Sequence, residues 1–153
     1  MKLAILSDTH GLLRPEVLAR LEGVDAILHA GDFHTQAVAD QLQTYAPLYA
    51  VRGNNDREWA ASIPYSRTVT LGGVTFYLVH NQRDVAERLL DVDVVIYGHT
   101  HKYACAGRDG MLWLNPGSCG RRRFGHEITF AMMEIENGSF QVEKVTISPD
   151  GPA

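Results

Sequence analysis

Short apolar runs rich in β-branched residues recur at 2–7, 25–30, 48–51, 67–71, 74–79 and 93–97, most of them too short for a helix. Segments with helical spacing lie between several of them. The segment 15–21 opens with Pro15, suited to a first helical turn, while 35–45 and 84–90 open on the capping residues Thr35 and Asp84. Strand–helix–strand alternation with nearly unbroken apolar strands predicts βαβ units around a parallel sheet covered on both faces.

The second half follows a different pattern. Gly72-Gly73, Asp109-Gly110 and Asn137-Gly138 each separate two strand-like runs, and such pairs readily adopt the positive φ of tight hairpin turns. The expected architecture is α/β, a four-layer α/β/β/α sandwich of two mixed β-sheets flanked by helices. With 153 residues, 45% apolar and 21% charged, the chain fits one domain over 1–147, with 148–153 as a flexible C-terminal tail.

No apolar stretch approaches the roughly 20 residues of a membrane span, and Asp8 interrupts the first run too early for a signal peptide, so the expectation is a cytoplasmic protein. Fourteen basic against eighteen acidic residues give a net charge of −4, with basic residues clustered only at Arg121-Arg122-Arg123. That balance argues against nonspecific nucleic-acid binding. Cys105 and Cys119 can form neither a disulfide framework nor a four-thiolate site, and read as free thiols. Nothing in the pattern specifies an oligomeric state, and a homo-oligomer stays open.

Polar residues able to bind metal follow the apolar runs repeatedly: Asp8 and His10, Asp32, Asn54, His80, then His99 and His101. Ligands of an open parallel α/β sheet sit beyond the carboxyl ends of its strands, where distant side chains converge. Taken singly, Asp8-Thr9-His10 is also a solvated turn, Gly31-Asp32 and Gly53-Asn54 plain turns, and His80 a half-buried histidine. Gly98-His99-Thr100-His101 is harder to explain as packing. Imidazole, carboxylate and amide without thiolate suit Mn, Ni, Fe, Co or Zn better than calcium or magnesium.

The ordered set Asp-x-His, Gly-Asp, Gly-Asn, His, Gly-His-x-His resembles the calcineurin-like metallophosphoesterases, and its spacing resembles their small YfcE-like branch. Ser7–Gly11, Val51–Asn54 and Asn115-Pro116-Gly117-Ser118 strengthen the likeness, which runs from residue 1 to about 123. It implies two divalent metal ions, manganese foremost. One would take Asp8, His10 and His101, the other Asn54, His80 and His99, with Asp32 bridging. Two such ions, two carboxylates and a bridging hydroxide leave a local charge of about +1, enough to attract phosphate to an acidic protein. The implied activity is phosphodiester hydrolysis of small phosphoesters by that hydroxide, without a covalent enzyme intermediate. The runner-up is a protein-binding scaffold, the use made of this fold by a related retromer subunit whose metal site is degraded.

Two positions depart from the family pattern. Asn55 stands where many members have a histidine that assists the leaving group; with Asn54 it is a candidate for substrate binding, but an amide cannot act as a general acid. His34 and Asp56 are the remaining candidates for that role, Asp56 being equally suited to capping the next segment and His34 to a surface loop. Asn81-Gln82 replaces the glycine and second histidine that often follow His80. One of Arg121–Arg123 could reach a substrate phosphate, whereas His29 reads as packing.

Overall fold

The computed structural model describes residues 1–122 and 125–148. Its N-terminal half alternates β1 (Lys2–Leu6), α1 (Pro15–Leu21), β2 (Ala26–His29), α2 (Gln36–Gln43) and β3 (Leu48–Ala50). Five strands follow, as two antiparallel pairs with a single strand between them. These are β4 (Ser66–Leu71) with β5 (Val74–Val79), β6 (Val94–Ile96), and β7 (Ala104–Arg108) with β8 (Met111–Asn115). A long hairpin, β9 (Ile128–Glu136) and β10 (Ser139–Ile147), ends the described chain.

Two five-stranded mixed sheets result, ordered β10-β9-β1-β2-β3 and β4-β5-β6-β8-β7. Strands β1, β2 and β3 run parallel, as do β5, β6 and β8. The side-chain period of two explains why β1 is apolar throughout. Ala4 and Leu6 pack with Val17, Leu21, Val38 and Leu42 of the helices, while Leu3 and Ile5 pack against Phe76, Leu78 and Ile96 of the other sheet. Each of these large side chains contributes about 1.5–3 kcal/mol by leaving water.

Pro15 occupies the first turn of α1 as expected, but Arg14 before it caps no N–H; its Nε donates to Gly120 O at 2.9 Å. Thr35 precedes α2 without a side-chain cap. One expectation is corrected. Instead of a helix over 84–90, a short 3-10 turn spans Gln82–Asp84 and residues 85–90 after it carry no regular structure. Val85 and Leu89 from this segment nevertheless cover Tyr77, Val79, Val95, Tyr97 and Trp113 on the outer face of the second sheet. Residues 81–89, with one 3-10 turn, place these apolar side chains on the sheet without a helix. The two helices accordingly flank only the first sheet. Residues 149–153 of the expected tail lie outside the described residues. Among the described residues no helix is long and apolar enough to cross a membrane.

Candidate metal centre

Six parallel strands end on one edge of the sandwich, and the loops leaving them are stitched together. Asp8 N–H donates to Gly31 O (3.0 Å) and His10 N–H to Asp32 O (3.0 Å), joining the loops after β1 and β2. The second sheet is tied in by His99 N–H, which donates to Asp8 Oδ2 at 3.0 Å, and by Ser118 Oγ, which donates to Asp8 O at 2.8 Å. Glycine is required at two of the closest approaches. A Cβ on Gly98 would collide with Ser7 Oγ and lie 2.6 Å from Asp8 Oδ2; one on Gly53 would collide with Asp32 Oδ1 and lie 2.5 Å from its backbone nitrogen.

Asp8 is fully buried. Its Oδ2 accepts from Ser7 Oγ (2.6 Å) and His99 N–H, leaving Oδ1 without a hydrogen bond. Around that oxygen lie His101 Nε2 at 3.3 Å, His10 Nε2 at 3.5 Å and His80 Nε2 at 3.9 Å. His10 Nε2 and His101 Nε2 are themselves 3.2 Å apart. Asp32 Oδ2 lies 3.2 Å from His80 Nε2 and 3.8 Å from His10 Nε2. His80 presents Nε2 for a definite reason. Its Nδ1 sits 2.8 Å from Ala30 O, which can only accept, so the neutral ring carries its proton on Nδ1 and its lone pair on Nε2. That Nε2 also lacks a hydrogen-bond partner.

These charges perturb one another. Burial pushes the Asp8 carboxyl upward, but His10, His101, His80 and Ser7 outweigh it and hold Asp8 far below the usual carboxylate range. Asp32 is lowered too, its burial offset by the adjacent His80 imidazole and by the Asn55 N–H. Burial disfavours a charge on His80, yet Asp32 and Asp8 raise it to about 9. An unpartnered carboxylate oxygen and an unpartnered imidazole nitrogen aimed at one point, with two more imidazoles beside them, fit a divalent cation. Two groups have the ligand spacing for one: Asp8, His10 and His101, and Asp8, Asp32 and His80.

Asn54 and His99 border a cavity of about 470 Å³ that opens beside His80. The His99 ring meets that of His80 edge-on, with centroids 5.3 Å apart. Asn55 turns inward, donating N–H to Asp32 Oδ1 (2.9 Å) and Nδ2–H to Asp32 Oδ2 (3.1 Å). Asp56 is buried, its Oδ2 accepting from the N–H groups of Asp32 and Gly53 (2.8 and 2.9 Å) and its Oδ1 from that of His34 (3.0 Å). The His34 ring is exposed beside Gly11. Arg121 Nε donates to His10 O and Arg122 to the carbonyls of Gly125 and His126, while Arg123 lies outside the described residues.

The sequence reading overlooked several supports. Ser7, which the sequence marks only through the family likeness, fixes Asp8 with its hydroxyl. Buried Asn115 donates to Gly98 O (3.2 Å) and Thr100 Oγ1 (3.0 Å), shaping the Gly98–His101 loop. Both follow apolar strands, the same sign that marked the ligands. Asp8, His10, Asp32, His34, His99 and His101 all have positive φ, between 46° and 80°, which no composition pattern discloses for non-glycine residues.

The model of the calcineurin-like phosphoesterase superfamily domain matches residues 1–138. The chain belongs to the calcineurin-like phosphoesterase superfamily. Within this superfamily it is 32% identical to a phosphodiesterase of Methanocaldococcus jannaschii over 141 residues, which cover 78% of this chain and 84% of the relative. Among solved structures it is similar to the phosphoesterase YfcE of E. coli (TM-score 0.70, 25% identity, 97% of this chain and 100% of the other). It is also similar to Vps29 of Chaetomium thermophilum (TM-score 0.78, 25% identity, 95% and 97%).

Proposed function

We propose that the chain is a divalent-metal-dependent phosphodiesterase acting on small phosphoesters. The observation that carries this reading is the convergence of Asp8 Oδ1 and His80 Nε2, both without hydrogen-bond partners, with His10, His101 and Asp32. One ion would be held by Asp8, His10 and His101 and a second by Asn54, His80 and His99, with Asp32 between them. Manganese is the first choice, with nickel, iron, cobalt and zinc of similar ligand preference. When bound, such ions supply Lewis acidity, bringing the pKa of water toward neutrality and offsetting phosphate charge.

The chain's own residues orient and exclude. Ser7 and His99 N–H hold Asp8 Oδ2, so that Oδ1 stays directed at the cluster. Asn55 holds both oxygens of Asp32, which supports a positioning role for it, while Asn54 faces the cavity where a substrate would lie. Three backbone N–H groups engage Asp56, which supports positioning over proton donation. His34, exposed at the rim, is therefore the group we assign to protonating the leaving alcohol.

Purified chain supplied with Mn²⁺ is expected to hydrolyse a generic aryl phosphodiester. Asp32→Ala is expected to lose bound metal, measured by elemental analysis, together with turnover. Normal metal content and rate in that variant would overturn the coordination scheme. The likeness to Vps29 supports a second reading, a protein-binding scaffold, and absence of turnover with every transition metal would favour it.

A further inference from the structure

The cavity beside His80, His99 and Asn54 has an outer wall unconnected with metal binding, formed by Arg52, Tyr65, Val79, Asn81 and Asp84. At about 470 Å³ it falls within the range of small-molecule pockets, roughly 300–1,000 Å³. We propose that this wall binds the base of a nucleoside phosphoester, with Tyr65 as the residue that selects for it. The inference rests on the phosphoesterase reading above and names the substrate class of that same site.

Tyr65 is 68% exposed, unusual for a large aromatic, and its ring is held in place. The Arg52 guanidinium carbon lies 4.6 Å from its centroid, and Arg52 N–H donates to Pro64 O at 2.9 Å, tying the strap after β3 to the segment before β4. A ring backed by a cation and open to solvent, next to a site for phosphate, offers a stacking surface to a planar group. Val79 adds an apolar patch at the inner side.

The polar groups define what kind of planar group fits. Arg52 brings one positive charge and Asp84 one negative, so the outer wall is neutral and attracts neither a second phosphate nor a carboxylate. Among the described residues the Asp84 carboxylate has no ion pair or hydrogen bond, and Arg52 Nε is buried without a partner. Asn81 Oδ1 already accepts from Arg83 N–H, leaving its amide hydrogens to donate. Arg52 Nη2 already donates to the carbonyls of Asp56 and Arg57, so Arg52 serves as the backing of Tyr65, and an acceptor at Asp84 with a donor at Asn81 suits an uncharged ring with both kinds of group along its edge. A nucleobase has that edge, and an exocyclic amine would meet Asp84. The cavity is lined by His80 and His99 as well as by this wall, so a phosphate held at those histidines has the wall within the same cavity as its esterified alcohols.

Two measurements on the full chain test the assignment. In the metal-free protein, adenosine should shift the NMR resonances of the Tyr65 ring and the Val79 methyl groups. With Mn²⁺ present, KM should be lower for the methyl ester of adenosine 5′-phosphate than for the methyl ester of ribose 5-phosphate, by about five- to a hundredfold. Tyr65→Ala should bring that ratio close to one, and Tyr65→Phe should preserve it. A wild-type ratio near one, an unchanged ratio in Tyr65→Ala, or adenosine shifts mapping elsewhere would overturn the proposal. If wild type hydrolyses neither ester, the adenosine titration decides whether the wall binds a base, while turnover of the aryl phosphodiester decides the phosphoesterase reading separately.

Discussion

His29 is expected to make the protein acid-sensitive by an amount that can be calculated. Its ring is fully buried in β2 and stacked on Phe33 with centroids 3.6 Å apart. Gly31 N–H donates to Nδ1 at 3.0 Å, so the neutral ring carries its proton on Nε2, which donates to Thr9 Oγ1 at 3.1 Å. Burial, only partly opposed by the Asp8 carboxylate, lowers its pKa from 6.5 to about 3. The unfolded chain therefore takes up a proton near pH 6.5 that the folded chain refuses. His29's contribution is intact above pH 6.5 and is lost progressively as pH falls toward 3. Between pH 6.5 and 5 the loss is 1.5 units, or about 2 kcal/mol at 1.36 kcal/mol per unit. His80 acts with the opposite sign: raised to about 9, it stabilises fully below pH 6.5 and loses that effect as pH rises through 9, so it produces no acid loss. The assay is urea unfolding of metal-free protein at pH 7 and pH 5, comparing wild type with His29→Asn. The variant is less stable at both pH values, but wild type should lose about 2 kcal/mol more between them. Equal falls would show that His29 is not held neutral by burial.

Replacing His34 with alanine should slow hydrolysis of esters with poor leaving groups more than of aryl esters; equal losses would argue against proton donation. Asp56→Ala removes the acceptor of three backbone N–H groups and should destabilise the fold by about 3–5 kcal/mol, read from urea midpoints, with Asp56→Asn intermediate. A variant of undiminished stability but abolished turnover would instead place Asp56 in the chemistry. Gly53→Ala should displace Asp32 and lose Mn²⁺ in a binding titration, whereas Gly107→Ala, with nothing within 4 Å of the added methyl, should bind normally. Equal behaviour of the two would contradict the close packing around Asp32.

Much of the fold was legible because its pattern is local. Runs such as 2–7 and 74–79 are apolar on both faces, which only a covered sheet explains, and the glycine-containing turns marked all three hairpins. The segment 84–90 misled because Val85 and Leu89, four residues apart, satisfy a helical face and a covering coil equally well. The parallel pairing of β8 with β6 was not legible, since the hairpin turn before β8 fixes only its relation to β7. It matters because β8 ends in Asn115 and leads to Ser118, both of which brace the site.

The site also holds conformational strain that the side-chain pattern does not disclose. Nine described non-glycine residues have positive φ; Asp91, Asp109 and Asn137 are scattered along the chain, and the other six surround the candidate centre. Each left-handed residue costs about 1–2 kcal/mol, so six amount to several kcal/mol concentrated in a few loops. That strain persists only because hydrogen bonds donated by Ser7, Asn115 and Ser118, and those accepted by Asp56, hold the loops in place. Convergence of Asp8, His10, Asp32 and His101 therefore depends on buried polar groups that touch no candidate ion. Loosening any of them lets a ligand relax to negative φ and turn away, so changes there should weaken metal binding before they unfold the core.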